Sequence, residues 1–159
     1  QRAADRLRHM ALHDELTGLA NRAGLAEASI RVGGALGFFD LDHFKAINDT
    51  YGHQAGDAVL AELARLVGSH VRVGDLLGRY GGEEFLLVAP GAEHDVALQL
   101  AERLRAVIEE HVFPATGRLT CSFGLARARS GESAAALVGR ADEALYRAKD
   151  AGRNRVAAD

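Results

Sequence analysis

The sequence predicts a mixed α/β fold, with one sheet backed by helices around a βαββαβ core. Three observations carry this. The run "ALGFFDLD" is nearly continuous in apolar residues, as a central strand covered on both faces must be. The segment 76–89, "LLGRYGGEEFLLVA", has two apolar runs meeting at Gly81-Gly82 and reads as a hairpin, which makes part of the sheet antiparallel. The intervening segments repeat apolar residues at helix spacing, so the remaining strands are joined through crossovers.

The elements follow in chain order. Residues 2–13, "RAADRLRHMALH", put Ala3, Leu7, Met10 and Ala11 on one helical face and basic residues on the other. This is a connector helix, and it divides the chain into residues 1–13 and a domain over 14–159. "DELTGLANR" turns at Gly18, and Asn21 is placed to cap a second helix through about Ser29, before Gly33-Gly34 breaks the chain. The first strand spans Ala35 to Asp40. A short helical turn, "HFKAIND", comes next, and "YGHQAG" reads as a loop. From Asp57 to Val71, Leu60, Leu63 and Val67 mark a helix. The hairpin 76–89 follows, then a helix whose stripe is Leu100, Leu104, Val107 and Ile108. Pro114 and Gly117 separate it from a strand, "RLTCSFGLA". A last helix buries Ala134, Leu137, Val138, Ala141, Leu145 and Ala148, and "GRNRV" ends in a short edge strand.

Composition narrows the function. The chain has 159 residues, 48% of them hydrophobic, which suits one domain with a substantial core. A net charge of -3 disfavours a general DNA or RNA surface but not a small nucleotide held by a metal and a few basic groups. The single cysteine, Cys121, excludes an intrachain disulfide and a Cys-rich zinc site; inside "LTCSFG" it reads as a small core residue. No apolar run approaches the ~20 residues that cross a bilayer. The chain begins with Gln1 and is expected to be a piece of a longer protein.

Asp40 directly follows "LGFF", at the mouth of a buried strand. If the hairpin lies beside that strand, Asp40 faces Glu83 and Glu84. Three close carboxylates repel unless a cation joins them, and hard oxygen ligands suit Mg²⁺ or Mn²⁺ with phosphate oxygens. The alternative is two unrelated polar turns. Asp42 reads as the N-cap of the short helix. Gly81 and Gly82 serve either a tight turn or close approach of a ligand to backbone. Lys45, Asn48, Asp49, His53 and Asp57 crowd one stretch. Asn48 and Asp57 have the chemistry to read guanine, the carboxylate taking N1–H and N2–H₂ and the amide pairing elsewhere on the base edge; each also suits a cap or an Asx turn. His53 reads as a loop histidine. Lys149 and Arg153 flank the end of the last helix, as C-terminal cations or as a phosphate clamp. Arg72 and Asp75, in "RVGD", read as a surface ion pair.

Taken together, "DELTGLANR", "DLDHFKAINDTYGHQAGD", "RYGGEEF", "TCSFG" and "ADEALYRAKDAGRNRV" resemble the GGDEF family of diguanylate cyclases, from about Asp14 to Val156. Glu83 stands where the family often has Asp. The resemblance implies a ferredoxin-like core like the palm of class III nucleotide cyclases, with a mostly antiparallel sheet. It implies condensation of two GTP into cyclic di-GMP with release of pyrophosphate, by a face-to-face homodimer. It assigns Asp40, Glu83 and the Leu41 carbonyl to two Mg²⁺ or Mn²⁺ ions, and Glu84 to the metal and to activation of the 3'-hydroxyl. Lys45, Lys149 and Arg153 hold the triphosphate, Asn48 and Asp57 read guanine, and Phe44 and Leu60 line the base pocket beside Gly81 and Gly82. Retention of Asp57 favours guanine in both halves of the product over the mixed GMP-AMP product of some relatives. Arg72 and Asp75 match an RxxD site where cyclic di-GMP inhibits, with Arg103, or else Arg105, as a third contact. A cytoplasmic domain regulated by an N-terminal sensor or receiver domain is implied, and the resemblance leaves open a membrane anchor in the parent. The rival expectation is a weak or inactive domain that acts as a GTP or cyclic di-GMP receptor.

Overall fold

Seven consecutive buried residues, Ala35–Leu41, form β1, the middle strand of a five-stranded sheet. The computed structural model describes Ala3, Ala4, Arg6 and residues 13–21 and 33–159. After β1 come α1 (Phe44–Tyr51), α2 (His53–Gly68), β2 (Leu76–Arg79), β3 (Glu84–Ala89) and α3 (His94–Glu110). A minor hairpin of β4 (Val112–Phe113) and β5 (Gly117–Arg118) precedes β6 (Cys121–Arg127), α4 (Ala134–Asp150) and β7 (Val156–Ala158). The sheet order is β2-β3-β1-β6-β7, antiparallel except for the parallel β6–β7 edge. The expected βαββαβ core is therefore present, with β1, β2, β3 and β6 as its strands.

The pleat sends alternate residues of β1 into two separate cores. Phe39 and Leu41 join Leu60, Leu63, Leu104 and Ile108 from α2 and α3. Phe39 stacks on Phe85 and Phe123 of the flanking strands, with ring centroids 5.4 and 4.6 Å away. Leu36 and Phe38 face the other way, onto Leu137, Ala141 and Leu145 of α4. Full burial of each such side chain stabilises the fold by about 1.5–3 kcal/mol. This double cover explains why β1 lacks the polar alternation of a half-exposed strand.

Several boundaries differ from the sequence expectation. The connector helix is described only at Ala3, Ala4 and Arg6, which are helical, and the helix expected after Asn21, through about Ser29, lies outside the described residues. "YGHQAG" is not a loop. Gly52, at φ 91°, is the whole break between α1 and α2, and α2 already runs from His53, which is exposed. The strand expected over "RLTCSFGLA" divides into β5 and β6. Cys121 is buried in the core, and burial pushes its thiol well above the ordinary range, so it is inert as a nucleophile.

Asp42 departs most from expectation. It is not the N-cap of α1; His43 holds that position with a left-handed φ of 59°. The Asp42 side chain is buried, 5% exposed, and accepts hydrogen bonds from Thr120 Oγ1 (2.7 Å), Ser122 Oγ (2.6 Å) and the Asn154 backbone N–H (3.0 Å). The donors outcompete a local cap because strand pairing delivers them: Asp42 N–H also donates to the Thr120 carbonyl at 2.9 Å. Asp42 thus ties the end of β1 to β6 and to the loop after α4. Asp42→Ala leaves three donors unsatisfied around a new cavity, and about 3 kcal/mol of stability should be lost. Urea unfolding of the two proteins checks this, and a loss under 1 kcal/mol would contradict it.

Candidate active site

In the β1–β3 register Asp40 stands directly opposite Glu84. Directly opposed residues share a face of the sheet, so both carboxylates lie on the α4 side, at the mouth of the sheet. The turn between β2 and β3 is closed by the Glu84 carbonyl, which accepts from the backbone N–H of Tyr80 (2.7 Å) and of Gly81 (3.3 Å). Arg79 reinforces it from outside. Its guanidinium donates to the Gly82 carbonyl, through Nε at 3.1 Å and through Nη2, and its Nη1 pairs with the Asp14 carboxylate at 3.0 Å. Asp14 is itself fixed by the Thr17 N–H (2.9 Å) and hydroxyl (2.8 Å). The motifs "DELT" and "RYGGEEF", remote in sequence, are thereby one unit in space.

A cavity of about 510 Å³ opens beside this turn. Its acidic end is lined by Asp40, Gly82, Glu83 and Glu84, with Lys149 from α4 and Arg79. Its other end is lined by Phe44, Lys45 and Asn48 of α1 and by Asp57 and Leu60 of α2. Helix spacing accounts for both sets: positions 44 and 48, and 57 and 60, recur on single faces.

The acidic end is electrostatically strained. Burial pushes the Asp40 carboxyl up to about 6, with Glu83 and Asp42 adding to the effect and the hydrogen bond and charge of Lys149 opposing it. Burial likewise raises Glu83; Lys149 opposes this and Glu84 adds to it. Lys149 Nζ donates to Asp40 Oδ2 at 2.6 Å, whereas Asp40 Oδ1 is buried with no hydrogen-bond partner. One buried, unpartnered carboxylate oxygen and two further carboxylates facing the same cavity are a donor set of the kind that hard divalent cations take. Among the described residues, however, the side chains do not close into a preformed metal cage. At the opposite end Asn48 Oδ1 is also buried and unpartnered.

The family model described as "Diguanylate cyclase, GGDEF domain" matches residues 11–155. This chain belongs to the GGDEF family. The GGDEF domain is 43% identical to diguanylate cyclase DgcM of Escherichia coli, over 99% of this chain and 41% of DgcM. It is 44% identical to diguanylate cyclase DgcP of Pseudomonas aeruginosa, over 94% of this chain and 24% of DgcP. It thus spans less than half the length of these curated relatives. Among solved structures, the coiled coil and GGDEF domain of DgcB from Caulobacter crescentus, in complex with c-di-GMP, superposes with a TM-score of 0.92 at 33% identity, covering 98% of this chain and 90% of that one. The active GGEEF domain of a diguanylate cyclase from Vibrio cholerae gives a TM-score of 0.75 at 37% identity, covering 86% and 90%.

Not every residue singled out in the sequence of this GGDEF domain lines the cavity. The Leu41 side chain points into the core on the opposite face. Gly81 lies in the turn but not in the wall. Arg153 is exposed, in a left-handed conformation at φ 65°, just past the end of α4. Arg79 is the wall residue that sequence reasoning missed. The available signal was a cation two positions before a glycine pair, which is too common to assign alone.

The second cluster lies in the loop between α2 and β2. Arg72 donates through Nε and Nη2 to the Asp75 carboxylate, each at 3.2 Å. The Asp75 side chain is 3% exposed and that of Arg72 is 49% exposed. Arg103 of α3 reaches this loop and donates to the His70 carbonyl at 3.1 Å. Arg105 does not; it is held by Glu102, Glu109 and Asn154. Among the described residues, no helix is long and apolar enough to cross a membrane.

Proposed function

We propose that this domain condenses two GTP molecules into cyclic di-GMP and releases two pyrophosphates. The observation that carries the reading is the single cavity with opposed acids at one end, Asp40 against Glu84, and an amide and a carboxylate, Asn48 and Asp57, at the other. The two groups of side chains suit two tasks, holding a triphosphate and reading a base. Asn48 and Asp57 select guanine, with Phe44 and Leu60 against its faces. Lys45, Lys149 and Arg153 offset phosphate charge. Asp40, Glu83, Glu84 and the Leu41 carbonyl would hold two Mg²⁺ or Mn²⁺ ions, whose chemistry is to neutralise the triphosphate and lower the pKa of the 3'-hydroxyl.

Glu84 orients the 3'-hydroxyl and, as general base, accepts its proton. The 3'-oxygen forms a bond to the α-phosphorus of the other GTP as the bond to pyrophosphate breaks, and a second such step closes the ring. One cavity holds one nucleotide, so two domains must face each other, each supplying the other's electrophile. Residues 1–13 act as a connector to an N-terminal sensor or receiver domain that brings the pair together. Incubation with GTP and Mg²⁺ tests the proposal: cyclic di-GMP and pyrophosphate should appear in a 1:2 ratio. GTP binding with no product over long incubation would instead favour the receptor reading.

Product inhibition is proposed through Arg72, Asp75 and Arg103. The Asp75 side chain, which also accepts from the Arg72 backbone N–H at 3.1 Å, is a buried anchor, and the half-exposed Arg72 guanidinium has further N–H donors to offer a ligand. Arg72→Ala is expected to raise the inhibitory concentration of added cyclic di-GMP by about tenfold, the loss of one charge-assisted contact. Initial rates with and without product measure it, and unchanged inhibition would remove Arg72 from the site.

A further inference from the structure

Gly56 lies inside α2, where glycine is unfavourable relative to alanine. Its backbone is not in the left-handed region, so conformational freedom does not explain it. Space does. A Cβ at this position would lie 1.9 Å from Asn48 Oδ1, 3.0 Å from Asn48 Cγ and 3.3 Å from Phe44 Cζ. The two residues it would displace both line the nucleotide cavity, and Gly56 itself is buried beneath them. Asn48 Oδ1 has no hydrogen-bond partner, so its position against α2 is set by fit. Gly68, in the same helix, has no atom within 4 Å of its own hypothetical Cβ.

We propose that Gly56 is a specificity-determining positioning residue: the missing side chain is the seat of the Asn48 amide, and through it sets how the cavity reads a purine. The inference rests on the assignment of this cavity to guanine. With Oδ1 seated on Gly56, the amide presents its Nδ2 donor to the cavity. Guanine has an acceptor, O6, where adenine has an amino donor, so the amide's orientation separates the two bases. A methyl group at position 56 meets the end of a flexible side chain and not backbone. The fold therefore survives the substitution, and the amide moves toward the base.

The test compares wild type, Gly56→Ala and Gly68→Ala. Calorimetry with Mg²⁺ and the α,β-methylene analogues of GTP and ATP, which cannot cyclise, measures binding without turnover. Gly56→Ala should weaken the GTP analogue by about tenfold, one hydrogen bond's worth, and the ATP analogue by less than about twofold. Gly68→Ala should change neither, and all three proteins should melt within a few degrees of one another. The NMR resonance of the Asn48 side-chain amide should shift in Gly56→Ala and stay in place in Gly68→Ala. An unmoved Asn48 resonance, unaltered GTP affinity, or equal loss for both analogues would overturn the proposal. A wild type that binds both analogues alike would sink the guanine assignment, while the Asn48 resonance still tests the seat.

Discussion

Glu84→Gln should lower the rate of cyclic di-GMP formation by at least about a thousandfold, because it removes a charge aimed at the reacting centre without changing the side chain's shape. The fold should not suffer. Glu84 holds the turn through its backbone carbonyl, which accepts from Tyr80 and Gly81 and is indifferent to the side chain. Its partner in register is Asp40, whose carboxyl already sits near pKa 6 because burial and neighbouring acids disfavour its charge. A neutral amide at position 84 removes a charge that raises the neighbouring Glu83, and with it the anionic oxygen proposed to serve a cation and the 3'-hydroxyl. Chromatographic detection of product from GTP and Mg²⁺ measures the effect, with circular dichroism as the control on folding. Near-normal product from the variant would end the proposed role of Glu84.

Gly124→Ala should cost roughly 3–5 kcal/mol, a large share of the ~5–15 kcal/mol that holds a domain of this size together. Gly124 lies in β6, and a Cβ there would come within 2.1 Å of the Ala141 carbonyl oxygen and 2.2 Å of the Leu145 nitrogen. Both are backbone atoms of α4, so no rotamer change relieves the contact; the helix must move off the sheet. It carries Leu137, Ala141 and Leu145 into the second core and Lys149 to Asp40, so packing and the acidic site are disturbed together. Gly139→Ala, on α4 with open space around its hypothetical Cβ, is the matched control and should be neutral or stabilising. Urea unfolding decides between them. Equal midpoints for Gly124→Ala and wild type would refute the close approach.

The two glycines show where the sequence is legible. "YGGEEF" announces a turn because two glycines between apolar runs have few other uses. Nothing local distinguishes Gly56 or Gly124 from an indifferent glycine, since each is required by an atom of another element. Asp42 makes the same point in a polar residue. As a short acid before "HFK" it has the local signature of a cap, yet donors 78, 80 and 112 positions away claim its carboxylate. Arg79 was visible beside the glycine pair, but its partner Asp14 lies 65 positions earlier.

By itself the sequence determined the order and kind of nearly all the described elements, the antiparallel hairpin, and which side chains had the chemistry for metal, phosphate and base. Those are properties of spacing along one strand or helix, and periodicity records them. Only the tertiary structure decided that Asp40 opposes Glu84, that Lys149 occupies one oxygen of Asp40 and leaves the other bare, and that Asn48 rests on Gly56. Each of these depends on which surfaces of separate elements come within a few ångströms of each other. Burial of two cores on opposite faces of one strand sets that proximity, and no local pattern encodes it.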